Sequence, residues 1–419
     1  MISLIRKTTI FFLLFFSGSL FSQKIAAFVR FDNSDKWNVI DDKGKLLFQT
    51  GFDYIDTKTV SIAVTSIQNK TIIGLPKYGL FPFKDKLHWG YMNALGMIEI
   101  KPQFDWAYPF NDSVGLIITG DFFQYINLKG ELISEKNFSE AKKFSGGFGL
   151  VKYKRKWNFI NKNGKFISEI GFEDAYSFKN SFALVKVDGK FGIINSKGEW
   201  QIGAQYDNLK NFSQGIAAYK KDRNWGFIDL NNKIIIDARY ENADNFSEGL
   251  AGVKIGNKWG YVDSTGLLKI APAFSDITEF SEGVAVVKND GFWGAIDKTG
   301  KNIISCRYDE VSKCENGIIR FKDPQGWGFM KKDENIKQLQ YQRLGIFVDD
   351  LAFVELNDRY GYINTNGKII IELKFDYAEN FKNGYARVKV DGKWKYIDKN
   401  GNFIDMPALK NAEDFFTLD

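Results

Sequence analysis

Apolar and polar residues alternate in short bursts along almost the whole chain, and turn residues separate the bursts. The stretch 250–255 (LAGVKI) carries apolar side chains with the two-residue period of a strand, and 259–263 and 268–271 form two further bursts behind it. In three places the turn between the first two bursts is Asp-Gly: Asp188-Gly189, Asp290-Gly291 and Asp391-Gly392. Asp-Gly between apolar runs predicts a tight hairpin, because a type I′ turn needs positive φ at both central residues. The second burst leaves through Asp-Ser-Thr-Gly, where Gly266 is free to turn left-handed and Asn232 is the tolerated substitute in another copy. The pattern predicts an antiparallel meander of three strands in about 34 residues.

That meander recurs. Trp225, Trp259, Trp293 and Trp327 stand 34 residues apart. The same step backwards reaches Phe191, Trp157, Phe123 and Trp89; forwards come Tyr360 and Trp394, and Trp37 adds one more copy, making eleven. Eight of the ten tryptophans lie in this one column. The next residue is Gly in seven copies, Asp or Asn stands four positions on in ten, and Gly stands seven positions on in nine. Thirteen positions before the aromatic come Phe144, Phe178, Phe212, Phe246 and Phe280. The two-residue hairpin places Lys389 across from Trp394, Lys186 across from Phe191 and Lys288 across from Trp293. Lys holds that place in eight copies. Its stem is expected to cover the ring while the ammonium reaches water. Gly260, lacking a side chain, leaves a gap that the recurrent Phe or an aromatic of the next unit is expected to fill.

The strings KWGYVD, NWGFID and GWGFMK, with FSEG before and Gly after, resemble the WG-repeat family of bacterial proteins, also called KWG repeats. The resemblance implies a β-rich repeat array and carries no catalytic residue with it. Copies at Phe123-Gln124, Trp37-Asn38 and Trp394-Lys395 depart from the Trp-Gly pair.

Both faces of a unit are partly apolar, so one unit cannot bury them and stacked neighbours must. The fold expected is all-β: a tandem array of about eleven three-stranded antiparallel units over residues 23–405. Two global forms fit, an open twisted superhelix or solenoid, favoured by the strand count, and a propeller-like closed ring. Residues 48–83 interrupt the period as an irregular insertion or N-terminal cap, with an extra hairpin around Gln68-Asn69. Residues 406–419 form a C-terminal cap or tail in which Ala412, Phe415 and Phe416 could dock as a short helix.

Composition narrows the function. Arg6 and Lys7, the apolar run from Thr9 to Phe16 and the small residues Ser17 to Ser19 make residues 1–22 an export signal, with Gln23 as the first mature residue. The expected location is therefore periplasmic, outer-surface or extracellular, and no later stretch of the mature chain is apolar enough to span a membrane. A net charge of +6, from 57 basic and 51 acidic residues, does not mark a nucleic-acid binder. His88 is the single histidine, at a turn edge. No phosphate loop, Cys-x-x-Cys pair or nucleophile elbow occurs, and the Asp/Asn column suits turns better than acid–base chemistry. Calcium loops lack sufficient oxygen ligands. Neither catalytic residues, cofactor nor metal is therefore expected. Cys306 and Cys314 fall in buried columns, as a disulfide or as two thiols. Trp106 and Trp200 lie outside the repeated column and are the candidate ligand-binding residues. The expected function is a non-catalytic scaffold for an envelope protein or glycan. The alternatives are an enzyme acting on envelope polysaccharide, with its site near 75–105 or 315–343, and a structural spacer.

Overall fold

The computed structural model describes residues 24–31, 37–46, 54–55, 65–67, 70–72, 80–85, 87–93, 98–332, 334–406, 409–412 and 416–418. The export signal at 1–22 lies outside them. Every regular element among the described residues is a β-strand, paired antiparallel with its neighbours. No helix there is long and apolar enough to cross a membrane.

The unit is the expected meander with one addition. In the unit of Trp293 the strands Val284–Asn289 and Phe292–Asp297 form the hairpin, with Lys288 opposite Trp293, and Asn302–Tyr308 follows. Ahead of them the two-residue strand Asp276–Ile277 pairs with Lys288 and Val287. Seven sheets among the described residues have these four strands rather than three. A pair of residues is too short to show a period, so the sequence pattern hides it. The turn ahead of the hairpin also needs positive φ at both central residues, as at Glu282 (52°) and Gly283 (77°).

The glycine after the repeat aromatic is explained differently from the expectation. A Cβ built on Gly361 would lie 2.5 Å from the carbonyl oxygen of Ile371 and 2.8 Å from the nitrogen of Leu373. Gly90 and Gly294 meet their own units' last strands in the same way. At Gly260 too the gap is filled by backbone of the same unit and not by an aromatic of the next, whereas at Gly192 and Gly328 a ring of the same unit, Trp200 or Phe321, lies against the glycine as well. Where the glycine is replaced, the last strand loosens. Asn158 is buried and its amide donates to the carbonyls of Ser168 (3.0 Å) and Ile170 (3.2 Å), and isolated bridges replace the strand.

Neighbouring units interleave their apolar faces. Leu250, Tyr261 and Ile270 of one unit pack with Ile277, Phe280, Ala285 and Ile296 of the next. The Tyr261 hydroxyl donates to the carbonyl of Thr278 (2.7 Å), and Tyr91, Tyr125 and Tyr362 repeat this bond to the following unit. Carboxylates at the turns add a second link. Glu248 accepts from the Gly283 amide (2.9 Å), and Glu282 accepts from those of Asn316 (3.0 Å) and Gly317 (2.7 Å).

The ends of the array meet. Lys24–Phe31 pairs on one side with Trp37–Asp41, the hairpin of the Trp37 copy. On its other side lie Leu409–Ala412 and Phe416–Leu418. The expected C-terminal helix is therefore strand. The reason is repetition: LKNAEDF at 409–415 matches FDYAENF at 375–381, which supplies a short first strand elsewhere. One sheet thus joins the first unit to the last, a connection that the ring-like form requires and an open superhelix lacks. Residues 48–83 are partly within the repeat, since Tyr54–Ile55 pairs with Lys84 and Phe83 as a first strand. Thr65–Ile67 and Lys70–Ile72 form the extra hairpin; residues 80–83 lie in the strand Leu80–Asp85, and the rest of that segment lies outside the described residues.

Candidate functional site

Most units lay a row of three side chains across their strands: a residue of the short first strand, polar in most and a tyrosine at Tyr54 and Tyr377, then a lysine, and the repeat aromatic. Glu140, Lys152 and Trp157 form one such row, Asp174, Lys186 and Phe191 another, and Asp276, Lys288 and Trp293 a third. The lysine ammonium lies over the ring as expected, at 5.3 Å for Lys152, 5.2 Å for Lys288 and 4.9 Å for Lys389. In two rows it also reaches the acid, 2.7 Å from Glu140 for Lys152 and 3.6 Å from Glu310 for Lys322. The unit of Tyr360 reverses the charges, with Arg343 at 3.6 Å from Glu355. Rows of adjoining units run into one another: the rings of Tyr360 and Tyr377 are 5.2 Å apart. The result is a belt in which charge and aromatic surface alternate.

One of the described rows carries no charge. Trp106, Ile118 and Phe123 occupy the places of acid, lysine and aromatic. Trp106 is 39 % exposed and rests on the buried Trp89 of the preceding unit, centroids 4.7 Å apart and planes tilted by 49°. Tyr108 meets its other side edge-on at 6.2 Å. The belt therefore holds an apolar window of Trp106, Ile118 and Phe123, backed by the buried Trp89. Lys84, opposite Trp89, bounds it at one end and the Glu140–Lys152 ion pair at the other. Phe122, at the hairpin tip beside it, is exposed as well. The contact with Trp89 restrains the indole, which lowers the ring ordering a ligand must impose.

Trp200 is placed elsewhere. It opens the strand Trp200–Tyr206 at a position held by Ile98, Leu132, Ile234, Leu268 and Phe403 in other units. Its ring covers Gly192 and meets Phe172 of the preceding unit edge-on at 6.4 Å. A column filled mostly by Ile, Leu, Phe and Trp, with Asn302 the departure, asks for volume over a unit junction. The two candidate tryptophans do not share a site, and only Trp106 stands opposite an uncharged residue, Ile118, in the lysine column of the described rows. Ile118 and Phe123 were missed as site residues; the signal available was the missing lysine at 118.

The remaining polar clusters hold the array together. A cleft of about 940 Å³ is lined by Glu248, Glu282, Lys298, Lys301 and Lys332, among others. Lys298 pairs with Glu248 (3.1 Å), and Lys332 donates to the Glu282 carbonyl (2.8 Å). The backbone amide of Gly317, with that of Asn316, holds the Glu282 carboxyl below its ordinary range despite partial desolvation. Among the irregular copies, Arg320 spends its guanidinium on the carbonyl of Leu344 (3.0 Å) in the next unit. Cys306 and Cys314 are free thiols in separate apolar clusters. His88 is exposed. No group of acids, cysteines or histidine among the described residues is arranged to hold a metal ion.

These features define an all-β tandem-repeat protein whose units share one hairpin and one belt row. The family model described as WG containing repeat matches nine times, at 89–119, 125–157, 159–191, 191–225, 225–259, 259–291, 293–323, 327–360 and 360–394. The chain belongs to this WG-repeat family. Among curated proteins none matches the sequence. Similar solved structures include a eukaryotic initiation factor, at 12 % identity and TM-score 0.40 over 81 % of this chain and 98 % of that one. PorZ, described as a bacterial surface component of the type-IX secretion system of Porphyromonas gingivalis, aligns at 8 % identity and TM-score 0.25 over 82 % and 58 %. The extracellular domain of BT3049 from B. thetaiotaomicron aligns at 10 % identity and TM-score 0.23 over 93 % and 65 %.

Proposed function

We propose that the protein is an exported, non-catalytic scaffold of the cell envelope whose belt binds a partner at the Trp106 window. The observation that carries this reading is the exchange of acid and lysine for Trp106 and Ile118 in a single row. Nothing in the packing of the array demands that exchange, because the Asp174 row closes over Phe191 with the usual pattern. An exposed tryptophan beside the one uncharged residue of the lysine column, among the described rows, is a binding feature before it is a folding one. The unit that stands apart does so by apolar surface, whereas the carboxylates that could serve catalysis are bonded to backbone amides between units. Export rests on the order of charge, apolar run and small residues at 1–22.

The test is a binding screen of residues 23–419 against envelope glycans and secreted-protein fractions. Retention of a defined partner, lost in Trp106→Ala and kept in Trp200→Ala, is the expected result. Retention of nothing, or retention indifferent to Trp106, would overturn the reading and favour a spacer.

A further inference from the structure

We infer that the window at Trp106 is a site for a short stretch of oligosaccharide, lying along the belt with its sugar rings stacked on Trp106 and Phe123. This rests on the scaffold reading and names its ligand. The first argument is size. Adjacent strands lie about 4.8 Å apart, so the row from Trp106 through Ile118 to Phe123 spans roughly 10 Å and is one side chain wide. A stable protein interface removes about 800 Å² from each partner. Here the belt turns charged again on both sides, at Lys84 and at the Glu140–Lys152 pair, before such an area is reached. The occupant is therefore narrow.

The second argument is chemical pattern. A pyranose has an apolar C–H face and a rim of hydroxyls that donate and accept. The window offers the matching sequence: an ammonium at one end, a flat indole and a benzyl ring along the middle, and a carboxylate with an ammonium at the other end. The indole is already restrained by Trp89 at 4.7 Å, which lowers the ordering cost of binding. An aliphatic peptide side chain would use the ring faces but leave the flanking charges unmatched.

The experiment titrates the full chain with cellohexaose, chitohexaose and maltohexaose, read by calorimetry and tryptophan fluorescence. The decisive variant is Trp106→Asp with Ile118→Lys, which rewrites the row as Asp–Lys–Phe, the pattern of Asp174, Lys186 and Phe191. Because that pattern already folds in this array, the variant is expected to keep its thermal transition and lose affinity about tenfold or more, the equivalent of about 1.4 kcal/mol. Trp200→Ala is expected to bind as the parent does. Failure of all three hexasaccharides to bind overturns the inference, as does binding that survives the double exchange. A protein retained through Trp106 while no sugar binds would overturn the sugar and leave the scaffold.

Discussion

At Gly361 a hydrogen is the largest side chain the backbone allows. A Cβ there would meet the Ile371 carbonyl oxygen at 2.5 Å and two further backbone atoms at 2.8 Å. All three belong to a strand, and a strand cannot swing aside as a flexible side chain does. Gly361→Ala is therefore expected to destabilise by about 1–3 kcal/mol, the usual cost of overpacking, measured by denaturant unfolding. A value near zero would mean that the last strand is loosely held. The thiol of Cys314 offers a second residue-scale check. Burial is the largest cause that pushes it up to about 11, and the Glu282 carboxylate 3.5 Å away adds to the shift. At pH 8 the thiolate fraction is then small, so iodoacetamide should label Cys314 only as fast as the protein unfolds. Fast labelling of the native chain would contradict the packing.

At the scale of the element, the hairpin and its register were legible in the sequence. Asp391-Gly392 set Lys389 against Trp394, and the structure pairs them so. The short first strand was not legible, since Asp276–Ile277 offers two residues and no alternation. Trp106 was legible as an outlier from the repeated tryptophans, but its meaning was not. Its row becomes visible only when Ile118 and Phe123 come beside it across two strands. Trp200 looked equivalent in sequence and is not, because it fills an apolar column over Gly192. The elements are joined by tyrosine hydroxyls, and these make a pH prediction. Burial pushes the phenols of Tyr91, Tyr125 and Tyr261 well above their ordinary value. A group whose pKa is raised by folding contributes stability that is full below its unfolded pKa, about 10 for tyrosine, and is lost as pH rises above it. Stability should be flat in this respect below pH 10 and fall beyond it. Absorbance near 295 nm should show these phenols ionising together with unfolding. Ionisation in a chain that keeps its sheet structure would contradict the bond from Tyr261 to Thr278. Tyr261→Phe should cost about 1 kcal/mol, the net worth of one such hydrogen bond.

At the scale of the molecule, the pairing of Lys24–Phe31 with Leu409–Ala412 decides how the array behaves when an end is removed. In a linear repeat protein each unit feels only its neighbours, so deleting the last residues disturbs the last unit and spares the first. Here Leu409 and Ala412 are buried together with Val29, Ile40 and Tyr396, residues drawn from both ends of the sequence. Leu409 also pairs with Trp394, so a single short strand holds the Trp37 unit against the Trp394 unit. A chain ending at residue 406 loses that strand. The strand Lys24–Phe31 then has one unpaired edge, and Val29, fully buried in the intact chain, meets water. Hydrogen exchange is expected to rise at 26–30 and 38–41 as much as at 385–398, while the units around Trp225, Trp259 and Trp293 keep their protection. A substitution that leaves the backbone in place, Leu409→Asp, should produce the same two-ended pattern. Exchange that rises at the C-terminal unit alone would show that the first unit stands without the last, and that the array is linear.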